Sequence, residues 1–379
     1  MKILVAFNSF KKTYSSKEIN EYLYNFLLKK GFDVDYVNVS DGGDGFLDCF
    51  EGLKERKIWV CGPFYQTRVK TKYLFESDKA YIEIANICGL KLLKENELKP
   101  LYATSYGVGE VLKDCFEKKF KKIYVGLGGT STSDGGFGMA RALGIKFYDE
   151  NGREIENSIY GLLKLKKIDF SNFKKPVSEV FAIVDVKNKL LGKNGSARVF
   201  APQKGANENE VLIIEKALKN LTNCLKKEVS VDISKIEGGA SAGGLGAGIY
   251  GFLGGKIIFG SDFIIKEKNI EFLIKNSDLI ITGEGKFDKT SFFKKMPGEI
   301  IKIANKYRKK VILVSVFNEY SQKIKDVYFI TLSKKYSIID TTKNLKRIIK
   351  KEILDFIENE IFISKHHLTS EKESEGSEK

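Results

Sequence analysis

Two histidines, His366 and His367, occur in 379 residues. Both lie in a polar stretch, 364–379, with the composition of a disordered tail. A Ser-His-Asp or Cys-His mechanism and a histidine-ligated metal are thereby excluded from the folded body. Any general base must be a carboxylate or a lysine, and any metal a hard cation held by oxygen, such as Mg²⁺. The five cysteines (Cys49, Cys61, Cys88, Cys115, Cys224) form no CxxC pair and are odd in number. That argues against a disulfide framework or a cysteine zinc site. The start, Met1-Lys2-Ile3-Leu4-Val5-Ala6-Phe7, lacks the basic flank and long apolar region of a signal peptide. Residues 238–255 carry no charge, yet half are glycine, which makes a poor membrane span. The expectation is a soluble, cytoplasmic protein. Arginine is also scarce: seven of the 64 basic residues, against 49 acidic ones and a net charge of +15. Lysines spread along the chain fit compositional drift better than a nucleic-acid face, though they would draw in an anionic substrate.

Short apolar runs alternate with amphipathic stretches, the pattern of an α/β protein. Residues 3–7 read as a first strand, and 16–30 as a helix with Ile19, Tyr22, Leu23, Phe26 and Leu27 on one face. Residues 34–39 read as a second strand. The stretch 58–84 alternates instead, is rich in Tyr, Val and Thr, and predicts an antiparallel meander. Strand-and-helix alternation then returns as far as a lysine-rich helix at 341–361. The shift and return predict a discontinuous first domain, 1–58 plus 262–363, interrupted by an inserted domain at 59–261.

The 35 glycines cluster with acids and hydroxyls where strands end. Four such loops stand out: 40–45, 126–136, 238–248 and 282–288. Glycine lets backbone N–H groups approach a ligand, and a following helix presents its positive end, which suits phosphate. In an open α/β sheet the carboxyl ends of strands are where ligands bind. A Walker P-loop and the protein-kinase motifs are absent. Gly246-Ala247-Gly248-Ile249-Tyr250-Gly251 matches GxGxxG, but no apolar strand precedes it, so a dinucleotide site is rejected.

Taken together the motifs resemble one family, the type-I glycerate kinases of bacteria, from residue 1 to about 361. The anchors are Asn8-Ser9-Phe10-Lys11, Asp41-Gly42-Gly43-Asp44-Gly45 and Ala103-Thr104-Ser105-Tyr106-Gly107. They continue through Gly128-Gly129-Thr130-Ser131-Thr132-Ser133-Asp134-Gly135-Gly136, Asp185-Val186, Asn194-Gly195 and Ala201-Pro202-Gln203-Lys204-Gly205-Ala206. The last are the 243–248 run, Thr282-Gly283-Glu284-Gly285, Asp288, Lys295 and Pro297.

The resemblance implies two α/β domains, a discontinuous flavodoxin-like (Rossmann-like) one and an inserted mixed one, with the active site in a cleft between them. It implies transfer of the ATP γ-phosphoryl group to a hydroxyl of D-glycerate, with Mg²⁺, giving 2-phosphoglycerate in preference to 3-phosphoglycerate. Gly128, Gly129, Ser131, Asp134, Gly243, Gly244, Lys204, Glu284 and Lys295 become candidates for binding the nucleotide. Asp134 and Asp288 are candidate metal ligands. Asp185 or Asp41 is favoured at the acceptor hydroxyl because each is expected to end an apolar strand. Lys11 would grip either the glycerate carboxylate or a phosphate. Asp44 and Glu83 are equally readable as structural hydrogen-bonders. The expected partner is the small-molecule substrate, with neither nucleic acid nor membrane and with homodimer formation left open.

The chain also departs from the family pattern. Members usually carry Asp where Asn8 stands, and Asp-Val-Asp-Asn-Pro-Leu where this chain reads Asp185-Val186-Lys187-Asn188-Lys189-Leu190. They often carry Gly, His and Gly where Lys289, Phe293 and Lys294 stand. In extended backbone, positions 185 and 187 point to the same side. At about 5 Å, turning that repulsion into attraction involves ~3 kcal/mol each way at an effective dielectric of ~20. The alternative to an active kinase is therefore an altered relative, a nucleotide- or small-acid-binding regulator.

Overall fold

The computed structural model describes residues 1–10 and 13–374, with side chains to Asn359. Lys11 and the end of the expected tail, 375–379, lie outside the described residues. The strands in chain order are β1 (Lys2–Phe7), β2 (Asp33–Tyr36), β3 (Lys54–Cys61), β4 (Arg68–Glu76), β5 (Lys79–Glu83), β6 (Lys122–Leu127) and β7 (Lys146–Tyr148). They continue as β8 (Lys167–Asp169), β9 (Glu179–Val184), β10 (Lys256–Phe259), β11 (Leu279–Phe287), β12 (Lys310–Asn318) and β13 (Val327–Thr331).

The chain divides into two compact units, residues 1–38 with 269–379, and residues 39–268. The divisions fall at 38/39 and 268/269, where the sequence reading puts them at 58/59 and 261/262. The physical reason is pairing: β3 begins at Lys54 and is zipped antiparallel to β4 along its whole length. Before it, Phe50 of the 3₁₀ turn Leu47–Phe50 stacks on Tyr81 with ring centroids 4.0 Å apart. At the other junction, the helix Gly260–Glu267 stays with the inserted unit because Phe263 packs on Tyr124 and Glu267 accepts from Lys79 and Tyr81.

In the first unit the sheet order is β13-β12-β11-β1-β2, every pair parallel. Counted within the unit this is 5-4-3-1-2, the flavodoxin order, whose topological switch point lies between β1 and β11. The helix Ser16–Lys29 starts at a capping box in which Ser15 and Glu18 bond reciprocally. Its apolar stripe, Ile19, Leu23 and Leu27, is fully buried against β1 and the Ile349–Ile353 turn of the last helix, Ile338–Ser374. The start of the expected tail, 364–374, continues the backbone of that helix: the stretch holds neither Gly nor Pro to stop it.

The second unit carries a six-stranded mixed sheet, β10-β9-β6-β5-β4-β3. β10, β9, β6 and β5 run parallel, while β5, β4 and β3 form the antiparallel meander. β7 and β8 make a separate small hairpin. Long apolar side chains of β6 and β9 pack with the helices Tyr106–Glu117 and Glu208–Val229 in one core. Most of the 238–248 stretch, expected from its glycines to be a loop, belongs to the helix Ser241–Leu253, broken at its start by left-handed Ala242, Gly243 and Gly244. The GxGxxG match thus lies inside a helix. No helix among the described residues is long and apolar enough to cross a membrane.

Candidate active site

In the inserted unit four segments converge beyond the carboxyl ends of β6 and β9. The 40–45 loop crosses the start of the 128–136 loop so closely that a Cβ on Gly128 would lie 2.5 Å from the Cα of Gly43. Glycine at 128 allows that approach, since a Cβ on Gly43 would meet the Gly128 Cα at an ordinary 3.6 Å. Gly135 donates its N–H to the Gly243 carbonyl at 3.0 Å, which ties the 128–136 loop to the left-handed start of helix Ser241–Leu253. Asp185 directly follows β9, and its Oδ1 lies 3.3 Å from Ser241 Oγ. Ser241 is thus a partner that sequence reasoning passed over; its only signal was a place among the glycines of 238–248.

The two favoured aspartates are now distinguished. Asp185 ends an apolar strand as expected. Asp41 does not, because β2 stops at Tyr36. The carbonyl of Asp41 faces Gly260, where a Cβ would meet it at 1.9 Å.

Asp134 is buried, and each of its oxygens is engaged. Oδ2 accepts from Ser105 N at 2.8 Å, Ser105 Oγ at 2.9 Å and Gly138 N at 3.1 Å, and Oδ1 accepts from Gly136 N at 3.0 Å. Such a carboxylate holds the first turn of helix Phe137–Ala142 against the start of helix Tyr106–Glu117. Both oxygens are thus taken up within the fold and not held open toward the metal or nucleotide expected of Asp134. Ser131, another residue expected at the nucleotide, is also turned inward: it is buried, and its hydroxyl donates to the Cys88 carbonyl at 2.9 Å. Glu83 is an internal acceptor too, taking Leu47 N at 3.1 Å and Lys91 Nζ at 3.2 Å. Lys91, which no motif singles out, then reaches Asp44 at 3.7 Å.

Lys204 is 3% exposed, and its ammonium bonds the Thr132 carbonyl and lies 3.4 Å from Thr130 Oγ1. Burial pulls it from the ordinary lysine range down to about 8, against the opposing fields of Cys88 and Asp134. Lys187, the charge-reversing departure, is exposed, with its Nζ 3.8 Å from Glu237 and 5.6 Å from the Phe259 ring centroid.

The first unit holds the remaining candidates. At its switch point Asn8 donates its N–H to the Gly283 carbonyl at 3.0 Å, next to buried Glu284 on β11. Asp288 Oδ1 accepts from Thr290 N at 2.7 Å and from Thr290 Oγ1, and Lys295 Nζ donates to the same hydroxyl at 3.0 Å. Burial pushes the Asp288 carboxyl up, but the Thr290 bonds and the charges of Lys295 and Lys286 outweigh it and hold it below the ordinary aspartate value. No group of three or more His, Cys, Asp or Glu arranged to hold a metal occurs among the described residues. A nucleotide-borne Mg²⁺ needs only one or two protein carboxylates, its other ligands being phosphate and water. The second oxygen of Asp288, Oδ2, lies 3.9 Å from Lys286 Nζ.

Lys294 sits at φ +60° in this segment. A left-handed non-glycine residue is strained. Lys294→Gly is therefore expected to stabilise the protein by about 0.5–1 kcal/mol, raising the melting temperature by about 2 °C in a thermal scan.

The matching family is the glycerate kinase family, over residues 3–360. The chain is 36% identical over 326 residues to glycerate 2-kinase of Escherichia coli (strain K12), covering 82% of this chain and 84% of that protein. It is 33% identical over 329 residues to a glycerate kinase of Halalkalibacterium halodurans, covering 83% and 84%. A crystal structure ascribed to glycerate kinase 2 of Salmonella typhimurium LT2 superposes with a TM-score of 0.76 at 29% identity, covering 95% of this chain and 98% of that one. A flavodoxin-order unit interrupted by a mixed-sheet unit bearing glycine loops is the fold of a small-molecule kinase here. The chain belongs to the glycerate kinase family.

Proposed function

We propose that this kinase transfers the γ-phosphoryl group of ATP to the 2-hydroxyl of D-glycerate. The observation that carries the reading is the convergence of the 40–45, 128–136 and 241–244 segments about Asp185 beyond β6 and β9. In phosphoryl transfer a protein mainly positions groups and neutralises charge, while one residue orients or deprotonates the attacking hydroxyl. Asp185 takes that last role: it is partly exposed, follows a buried strand that fixes its backbone, and is steadied by Ser241. The glycine backbones let the ligand approach closely. Asp134, Ser131 and Lys204 hold those backbones from inside. Lys295 and Glu284 remain the candidates for nucleotide contact. Mg²⁺, when bound with ATP through Asp288, supplies neutralisation of phosphate charge. Lys187 lies toward Glu237 and the Phe259 ring, which supports the active-kinase reading over the alternative, a regulator that has lost turnover.

The test incubates the protein with D-glycerate, ATP, Mg²⁺ and NADH, together with enolase, pyruvate kinase and lactate dehydrogenase but no phosphoglycerate mutase. Immediate NADH loss, dependent on glycerate, is expected. Signal that appears only after mutase is added would assign the 3-hydroxyl, and no signal under either condition would overturn the reading.

A further inference from the structure

Lys204 stands in a sequence, Ala201-Pro202-Gln203-Lys204-Gly205, that invites a phosphate-binding reading, yet its side chain runs inward. It closes the 3₁₀ turn Pro202–Lys204, which is set by the Lys204 N–H bond to the Ala201 carbonyl and by left-handed Gly205. Its hydrogen-bond partners among the described residues are the Thr132 carbonyl and the Thr130 hydroxyl, both in the middle of the 128–136 loop. Among the described residues no carboxylate is hydrogen-bonded to the ammonium; Asp134 and Cys88 act on it only through space. Taking an ammonium out of water without an ion-pair partner is costly, so the fold retains it against a penalty. What it gains is a fixed loop. The same segment is held on its other edge by Ser131, through its N–H and hydroxyl to the Cys88 carbonyl, and by Thr132 Oγ1 to the Ala103 carbonyl at 3.3 Å. Lys204 is the one charged side chain in this set, and it reaches from a different segment of the chain.

Resting on the kinase reading above, we propose that Lys204 is a positioning residue, an internal anchor that sets the backbone of the 128–136 loop at the site, and not a ligand of the phosphates. Its 3% exposure separates the two roles, since a phosphate ligand must present its ammonium to the bound molecule. A loop set by an anchor loses rate when the anchor goes, because a displacement of about 1 Å at a reacting group can cost ~100-fold. It does not lose the direct charge contact with nucleotide.

The experiment compares the full-length protein with Lys204→Met, Thr130→Val and the double variant, by steady-state kinetics and by amide hydrogen exchange. Lys204→Met is expected to lower kcat at least tenfold while the KM for ATP stays within threefold. It should also speed exchange of the Ser131, Asp134 and Gly135 amides about tenfold, with distant strands unchanged. Thr130→Val, which keeps shape and removes one acceptor, is expected to give a smaller change of the same kind, about threefold. The double variant should be no worse than Lys204→Met alone, the non-additivity of one shared anchor. If Lys204→Met fails to fold, Thr130→Val carries the test by itself. A tenfold or greater rise in the KM for ATP with unchanged loop exchange would overturn the proposal and make Lys204 a phosphate contact. Unchanged exchange and unchanged kcat would overturn it as well. A wild-type protein without glycerate-dependent turnover would sink the kinase reading, and the exchange data would then decide the anchor on their own.

Discussion

Asp185→Asn is expected to lower kcat about 100- to 1,000-fold while leaving the melting temperature within about 2 °C. The size follows from the role: a positioned group that accepts a proton in the transition state contributes about 10²–10⁴-fold. Asparagine keeps the shape and one carbonyl oxygen, so the contact with Ser241 Oγ, 3.3 Å away, survives in part. It cannot accept the hydroxyl proton. The KM for ATP is expected to change little, since the loss falls on a step made only in the transition state. Asp41→Asn provides the comparison. Asp41 lies five residues beyond the end of β2, in a loop whose carbonyl side faces Gly260, and its amide variant is expected to keep activity within about tenfold. If Asp41→Asn shows the large loss and Asp185→Asn does not, the acceptor role belongs to Asp41 and the strand-end argument fails.

That argument shows what the sequence could and could not reveal. Strands whose side chains are buried on both faces, such as β1, β6, β9 and β12, announce themselves as unbroken apolar runs. The helix Ser16–Lys29 is equally legible, from its capping residues and one apolar stripe. Helix Ser241–Leu253 was not, because a run with nine glycines in eighteen residues carries no helical periodicity. It is helical for a tertiary reason: its glycines allow it to lie against the backbone of Gly135 and Gly136, where a Cβ on Gly248 would sit 2.4 Å from the Gly135 carbonyl oxygen. The short strands β10 and β13 were also hidden, being four and five residues long and only partly buried.

Within the site, positions were easier to find than directions. Composition and motif brought Ser131, Asp134 and Lys204 to notice as polar groups in a glycine-rich setting. Whether a hydroxyl or an ammonium faces the ligand or the interior depends on residues distant in sequence, here Cys88, Ser105 and Thr132. Those three groups are 2–3% exposed. On the reading proposed above they support the loop, and the backbone they hold meets the ligand.

Gly243→Ala is the harshest single-methyl test of that arrangement. Residues 242–244 are left-handed in succession, at φ +54°, +69° and +94°. An added Cβ on Gly243 would stand 2.0 Å from the Thr132 carbonyl oxygen and 2.7 Å from the Ser133 Cα. Both obstacles are backbone, so no side chain can turn aside to relieve the clash. The two segments must part by about 1 Å, which strains the Gly135 N–H bond to the Gly243 carbonyl and moves the same Thr132 carbonyl that Lys204 holds. The expected cost is about 2–4 kcal/mol of stability, from overpacking plus left-handed strain. The expected loss in kcat/KM is ~100-fold or more, because the displaced backbone belongs to the site. Gly254→Ala separates the two contributions. Gly254 ends the same helix at φ +66°, but its added Cβ would come no closer than 3.4 Å, to the far end of the Lys175 side chain. It carries the strain without the clash, so about 1 kcal/mol and an activity within twofold of wild type are expected. Urea unfolding and kcat/KM measured on both variants decide the matter. A Gly243→Ala variant as mild as Gly254→Ala would mean that the 132–135 and 241–244 segments are not held together as described, and that their contact does not shape the site.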